Sequence, residues 1–209
     1  MRRDDRAAYR ASPWRWSVVE AKRFALLALL SLSLVACATR SVVSRPANAD
    51  GQAQMLQAIA AQGEPGDWLV IRGIHATDNL VASLSNQPLS HAAVFDPEQG
   101  QVIEAEAIGV HATPLADFVG KSARLLLIKP QGATAETRAA AVAKARARIG
   151  RPYDFLGLVG LDQAERYYCS ELALSVFPRA VAGNPRPWVV PPGQLWHWGR
   201  IVYDSGPTP

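Results

Sequence analysis

Cys37 and Cys169 are the only thiols in the 209-residue chain. Cys169 lies in the stretch YYCSEL, at the start of an apolar helix predicted over residues 168–177 and ended by Pro178. Unpaired backbone N–H groups and the helix dipole stabilise negative charge at such a position, which favours the thiolate form of cysteine. A thiolate attacks carbonyl carbon, and the same N–H groups can bind the oxyanion that develops, so Cys169 is a candidate nucleophile.

A nucleophilic cysteine needs a base, and a predicted β-hairpin offers a histidine beside a carboxylate. Two β-like runs flank the turn sequence DPEQG. A turn centred on residues 97–98 places His91 opposite Glu104 on one face of the hairpin, with their Cβ atoms about 4.5–5.5 Å apart. A slip of one residue, which a bulge at Gly100 would allow, would put them on opposite faces.

Such a pair would have a chemical role. A carboxylate that accepts a hydrogen bond from one imidazole nitrogen fixes the tautomer and makes the other nitrogen a better base. Glu106 lies on the same face as Glu104 and is the alternative orienting group. The other reading of the hairpin is a half-exposed histidine and a solvated glutamate. The remaining histidines, which are interpreted as structural or exposed, are His75, His111 and His197.

The elements that must position these residues mix strands and helices without a regular βαβ alternation, so the predicted fold class is α+β. The clearest helix is predicted over residues 134–150, where Thr134 can serve as the N-cap and Gly150 can end the helix. Strands are predicted at 65–72, 90–95, 101–107, 123–130 and 199–203.

The segments PGDWLVIR, SHAAVF, VIEA, GRPYDFLG and YYCSEL, in this order, resemble the circularly permuted papain-like hydrolases of the NlpC superfamily. The resemblance is to the YiiX/YaeF-like branch and, more distantly, to lecithin retinol acyltransferases. It covers residues 64–203 and implies a papain-like NlpC-type fold with an antiparallel sheet packed against helices. A histidine that precedes the cysteine is the permuted order.

The resemblance also assigns roles to individual residues. It implies Cys169 as the nucleophile, His91 as the general base and acid, and Glu104 as the orienting third member. Tyr153, in RPYDFLG, matches a tyrosine that helps to hold the oxyanion in this superfamily; a packing role is the alternative. Tyr167 and Tyr168, beside the nucleophile, are rival donors.

The second thiol, Cys37, is predicted to carry a lipid. It follows two cations and a run of thirteen apolar residues, too few to span a bilayer as a helix but suited to a signal peptide. The preceding Leu34-Val35-Ala36 resembles the lipobox of bacterial lipoproteins. A plain signal peptide or a buried helix is the alternative. Ala38 after the cysteine favours the outer membrane, by resemblance to enterobacterial sorting rules.

The predicted organisation follows from this leader. The mature protein would be held by its lipid at the periplasmic face of the bacterial outer membrane, with a polar, small-residue tether before the folded body. The predicted segments are a signal peptide with an extended N-terminus at 1–36, the lipidated cysteine and tether at 37–63, the hydrolase domain at 64–203 and a C-terminal tail at 204–209.

Charge excludes nucleic acid as an expected partner. The whole chain has a net charge of +4, but residues 1–36 contain seven Lys/Arg and three Asp/Glu, which leaves fifteen of each sign in the mature chain. A neutral chain without a basic block lacks the electrostatic footprint of a nucleic-acid-binding protein.

The sequence therefore predicts a cell-envelope lipoprotein that cleaves an amide or ester bond through an acyl-enzyme intermediate, as a hydrolase or an acyltransferase. The expected substrate is either a cell-wall peptide or an acyl-lipid. The alternative is a non-catalytic envelope module that binds peptidoglycan peptides or lipids. Metal binding by Cys169, His91 and a carboxylate is a third hypothesis, but the close ligand pair typical of zinc motifs is missing, so no metal or other cofactor is predicted.

Overall fold

A computed structural model describes residues 44–179, 181 and 187–206. Its centre is one six-stranded antiparallel sheet with the strand order β4-β3-β2-β1-β5-β6. The strands are β1 (Trp68–Gly73), β2 (His91–Asp96), β3 (Gln101–Glu106), β4 (Gly109–Pro114), β5 (Ser122–Pro130) and β6 (Gly199–Asp204). The helices are α1 (Ala49–Gln62), α2 (Ala76–Ser85), α3 (Leu115–Gly120), α4 (Ala135–Ala147) and α5 (Cys169–Ser175). The predicted α+β class with an antiparallel sheet is confirmed.

Alternating residues of the central strands divide the core between the two faces of the sheet. On one face, Trp68 and Val70 of β1 pack with buried residues of α4 and α5. On the other face, Leu69 and Ile71 pack with buried residues of α1 and α3. Because helices cover both faces, the central strands are buried along nearly their whole length.

Long-range polar contacts fix two of these helices to the sheet. Arg146 of α4 donates to both carboxylate oxygens of the buried Asp96, at 2.6 and 2.8 Å, and so holds the end of β2. The indole Nε1 of Trp68 donates to the carbonyl of Ala173 at 2.9 Å, which anchors α5 on β1. The short helix that begins at Cys169 is thus held by β1 as well as by apolar packing.

Helix α1 extends the folded body towards the N-terminus. Its Met55 and Ile59 are four residues apart, so they lie on one side of the helix, and both are buried in the core beside α3. The side chain of Asn48 caps it by accepting from the N–H of Gly51. Part of the segment 37–63, predicted as a tether, is therefore packed against the sheet, and the body begins before residue 64.

The β2–β3 hairpin forms where predicted, but its register differs by two residues. Ala93, not His91, lies opposite Glu104, and Asp96 pairs with Gln101. The prediction assumed a turn centred on residues 97–98, whereas residues 97–99 form a 3-10 turn that ends at Gly100 in the left-handed region, with φ 61°. Because the difference is an even number of residues, His91 and Glu104 still share a face.

Strand β4 and helices α2 and α3 of the described chain were not predicted. Strand β4 follows β3 through a tight turn in which Glu106 pairs with Gly109. Among the described residues, no helix combines the length and apolar character needed to cross a bilayer.

Candidate active site

His91 and Glu104 make a direct contact across the hairpin. Nε2 of His91 lies 2.5 Å from Oε2 of Glu104, although the two residues are diagonal rather than opposite. Diagonal pairs on one face remain within reach of long side chains. Glu104 is fully buried and His91 is 7% exposed, so little water weakens this hydrogen bond.

Cys169 completes this arrangement from the other side of the imidazole. It is the first residue of α5 and is 5% exposed. It lies beside the imidazole of His91, and since Nε2 faces Glu104, Nδ1 is the nitrogen available to the sulfur. Burial alone would lower the pKa of His91, but its interactions with Cys169 and Glu104 outweigh burial and raise that pKa, which favours the imidazolium.

Glu104 accepts from several groups besides His91. Its Oε1 accepts from the hydroxyl of Thr113 at 2.5 Å and from Nζ of Lys121 at 2.8 Å. Nζ of Lys121 is also 3.0 Å from Oε2. Burial opposes ionisation, but contacts with His111, His91 and Lys121 hold the pKa of Glu104 well below its usual range. Glu104 is therefore an anion with both oxygens held in place.

Glu106, the alternative orienting group, is held by Lys121 and His111. Its Oε1 accepts from Lys121 at 2.7 Å, and its Oε2 lies 3.4 Å from Nε2 of His111. That Nε2 is also 3.6 Å from Oε1 of Glu104, while Nδ1 of His111 donates to the carbonyl of Gly109 at 3.0 Å. Because both ring nitrogens face oxygens, both carry protons, and the contacts with Glu104 and Glu106 raise the pKa of His111 to about 10. We call His91, Glu104, Glu106, His111 and Lys121 the charge cluster.

The three tyrosines near the nucleophile differ in what they contact. Tyr153 is half-buried, and its pKa is raised by burial and by the charge of Cys169, so it keeps its phenolic proton and can donate. Tyr168 accepts from the N–H of Val190 at 3.3 Å through its hydroxyl. The guanidinium of Arg148 lies over the ring of Tyr167, with Cζ of Arg148 4.4 Å from the ring centroid. The hydroxyl of Tyr168 is thus engaged by the backbone, whereas Tyr153 combines a phenolic proton with a position in the field of Cys169.

An exposed apolar loop follows Tyr153. Asp154 is fully buried and accepts from the N–H groups of Gly157 and Gln163, at 2.8 and 3.0 Å, which fixes the loop at both ends. The exposed apolar residues between these anchors are Phe155, Leu156, Leu158, Val159 and Leu161. Trp188 is 89% exposed, and it lies near Gly160 of this loop. We call residues 155–161 with Trp188 the apolar rim.

The segment that carries Trp188 is joined to the nucleophile helix. Ser170 donates its hydroxyl to the carbonyl of Val190 at 2.5 Å. The apolar rim is therefore connected to the site at two points, through Tyr153 and Asp154 on one side and through Ser170 on the other. Two other tryptophans follow Trp188 in the chain. Trp198 packs on the core, and Trp196 stacks on His197 with ring centroids 3.9 Å apart.

Comparison with protein families identifies the family of the chain. Residues 64–185, more than half of the chain, match the family described as permuted papain-like amidase enzymes, YaeF/YiiX. The chain belongs to this family. Family membership supports a hydrolase and agrees with the resemblance stated above. A search of curated proteins gives no match.

A solved structure has the same fold. It is described as the metalloprotein YiiX from Escherichia coli O157:H7, and it superposes with a TM-score of 0.52 at 18% sequence identity. The match covers 67% of this chain and 96% of the YiiX chain. At this identity the likeness concerns the fold alone.

Two groups of described residues have ligand atoms close enough together for a metal ion: His91, Glu104 and Glu106, and Asp154, Asp162 and Glu171. The first group does not fit one as the side chains stand. In the first group the ammonium of Lys121 contacts both carboxylates and already supplies the positive charge. In the second, both oxygens of Asp154 accept backbone N–H groups.

The structure brings Cys169, His91 and Glu104 together and places Tyr153 beside them, while Cys37 lies outside the described residues. Glu171 accepts from the N–H of Tyr168 at 3.2 Å and so stabilises the start of α5. Lys121 and His111 were missed as members of the site. A two-residue hairpin at 107–108 would have paired Glu104 with His111, as observed, but nothing local in the sequence points to Lys121.

Proposed function

We propose that the protein is a cysteine hydrolase of the bacterial cell envelope that cleaves an amide or ester bond through an acyl-enzyme intermediate. The observation that carries the proposal is the position of Cys169 beside His91, whose imidazole is hydrogen-bonded on its other side to the buried Glu104. Such an arrangement can hold a thiolate beside an imidazolium and fixes the ring that moves the proton.

Each proposed step follows from these groups. The thiolate of Cys169 adds to the substrate carbonyl, and the oxyanion accepts from backbone N–H groups at the start of α5 and from Tyr153. The bond to the leaving group breaks as the imidazolium of His91 donates its proton to that group, which leaves a thioester on Cys169. Neutral His91 then takes a proton from water, which attacks the thioester and releases the acid and the thiolate.

The first test is the reactivity of Cys169. In a full-length Cys37→Ser variant, Cys169 is the single thiol, so alkylation by iodoacetamide reports on it alone. We expect fast alkylation at about pH 6.5 and a large decrease in the His91→Ala variant, since an ordinary thiol titrates near pH 8.5. The matched control is His197→Ala, which removes an imidazole stacked on Trp196. Alkylation with an ordinary thiol profile that ignores His91 would reject the proposal and favour a non-catalytic binding module.

The apolar rim favours an acyl-lipid over a cell-wall peptide as the substrate. A contiguous exposed apolar surface beside a reactive group suits a fatty-acyl chain better than a charged, hydrophilic muropeptide. The test is incubation with muropeptides, with N-acyl amides and with phospholipids, followed by mass spectrometry, using Cys169→Ala as the inactive control. Turnover of muropeptides alone would assign the cell-wall peptide instead.

We also propose that Cys37 is lipidated and anchors the protein at the periplasmic face of the outer membrane. The support is the apolar run and lipobox-like residues that precede it in the sequence. Mass spectrometry of the N-terminal peptide should find a diacylglyceryl group on Cys37, and the Cys37→Ser variant should lose it and leave the membrane fraction. A processed, unmodified N-terminus would reject the anchor without affecting the hydrolase proposal.

A further inference from the structure

The ammonium of Lys121 is the most connected cation among the described residues of the site. Lys121 follows α3 directly, and its Nζ lies 2.8 and 3.0 Å from the two oxygens of Glu104 and 2.7 Å from Oε1 of Glu106. The three contacts match the three N–H donors of an ammonium. The ammonium therefore bridges two carboxylates, one of which contacts His91.

The position of this bridge matters because Glu104 is fully buried. A buried carboxylate without nearby cations becomes protonated, because ionisation in an apolar environment is costly. A protonated Glu104 could not hold the imidazolium of His91. The charged and titratable groups that face Glu104 are His91 from β2, Glu106 from β3, His111 from β4 and Lys121 after α3.

We propose that Lys121 is a positioning residue for the reaction: its ammonium bridges Glu104 and Glu106, keeps Glu104 ionised and directs it at His91. This inference rests on the proposed function, because it concerns how the base of that reaction is held. Lys121 does not reach the substrate; it acts through Glu104 on His91. Phe118, buried beneath the ammonium with its ring centroid 5.4 Å from Nζ, is 6.1 Å from the His91 ring and shields the bridge.

The experiment compares Lys121→Met with the wild-type residue in the full-length Cys37→Ser background. Loss of the ammonium removes one of the three cations around Glu104 and leaves the imidazolium groups of His91 and His111 to balance two carboxylates, so Glu104 takes up a proton at a higher pH. We expect alkylation of Cys169 at about pH 6.5 to slow roughly 10-fold and the acid limb of its pH profile to move up by about one pH unit. Lys121→Arg, which keeps the charge, should restore the acid limb.

The matched control is Lys144→Met, the same substitution on the exposed side of α4. It should leave the profile unchanged. Circular dichroism and thermal melting establish that each variant is folded, and Lys121→Gln replaces Lys121→Met if the latter does not fold. If the low-pH part of the alkylation profile does not move in folded Lys121→Met or Lys121→Gln, Lys121 is not a positioning residue.

A second measurement separates this inference from the proposed function. Nitrogen-15 NMR of the His91 ring reports its hydrogen bond to Glu104 whether or not Cys169 is reactive. We expect the Nε2–H signal of that bond in the wild type and in Lys121→Arg, and its loss or upfield shift in Lys121→Met. If Cys169 is unreactive but the NMR signal changes as expected, the hydrolase proposal is rejected and the role of Lys121 stands. If Cys169 is reactive but the NMR signal does not change, the role of Lys121 is rejected and the hydrolase proposal stands.

Discussion

The two sides of the imidazole of His91 are built in different ways. The charge cluster lies within residues 91–121, on adjacent strands and the turn after α3, and its carboxylates are paired with buried or half-buried cations. The nucleophile side combines the start of a short helix, Tyr153 and the apolar rim, from segments far apart in the chain. The base therefore depends on charge balance, whereas the thiol depends on how distant segments are packed.

The largest effect should come from the charge cluster. Glu104→Gln removes the anion that holds His91 and leaves Lys121 and His111 with one carboxylate between them. We expect alkylation of Cys169 at about pH 6.5 to slow about 100-fold and stability to fall by about 3 kcal/mol. Kinetics with iodoacetamide and urea denaturation measure the two losses.

The control for that variant is Glu98→Gln on the same hairpin. Glu98 is exposed, and its ion pair with Arg146 lies at the surface, so little should change. If Cys169 is alkylated as fast in Glu104→Gln as in the control variant, His91 does not depend on the carboxylate of Glu104. The contrast between the two sides of the imidazole then disappears.

The next largest effect should come from the nucleophile side. Tyr153→Phe removes a donor to the oxyanion, so hydrolysis should slow about 10- to 100-fold. Alkylation of Cys169 forms no oxyanion and should keep its rate. Assays of hydrolysis and alkylation on the same preparation test this separation.

Tyr168→Phe is the comparison for Tyr153→Phe. Its hydroxyl accepts from the N–H of Val190, so its loss should lower stability by about 1 kcal/mol with a smaller effect on turnover. Equal losses of turnover in the two variants would contradict a specific role for Tyr153.

The two sides should also respond to acid in opposite directions. Contact with His111 outweighs burial and lowers the pKa of Glu106 to about 2, so its stabilising effect is present above its ordinary pKa and is lost as the pH falls towards 2. Glu106→Gln should therefore lower the melting temperature by about 3 °C at neutral pH. The difference from the wild type should shrink below about pH 4, as a melting series against pH would show.

On the nucleophile side the sign is reversed and the effect is smaller. Burial raises the pKa of Glu171 to about 7, so its ionised form destabilises the fold and stability falls as the pH rises from its ordinary pKa through 7. Glutamine can still accept from the N–H of Tyr168. Glu171→Gln should raise the melting temperature by about 2 °C at about pH 8 and leave it unchanged at about pH 4. A destabilised variant at the higher pH would show that the two sides do not differ in this respect.

Local sequence predicted the features that depend on periodicity and capping. Helix α4 lies within the predicted range, with Thr134 as its N-cap, because that residue type satisfies an N–H of the first turn. Alternation along β2 and β3 placed His91 and Glu104 on one face. The register differed because a four-residue loop, not a two-residue turn, joins the strands.

The rest depends on tertiary packing that no local pattern encodes. Lys121 enters the site because α3, which joins β4 to β5, packs against β3 and ends there. Helix α1 resembles a linker in composition, and only Met55 and Ile59 show that one side is buried. The loop 155–161 is apolar in sequence, and its exposure follows from Asp154, which fixes it at the surface.

The permuted chain order also sets the sequence of events during synthesis. His91, Glu104, His111 and Lys121 all precede Cys169, and Lys121 comes forty-eight residues before it. At about 5–20 residues per second, translation takes roughly 2–10 s to cover that interval. The ionic partners that tune the base are therefore made before the reactive sulfur, and a growing chain carries no activated thiol until the last quarter of the protein is made.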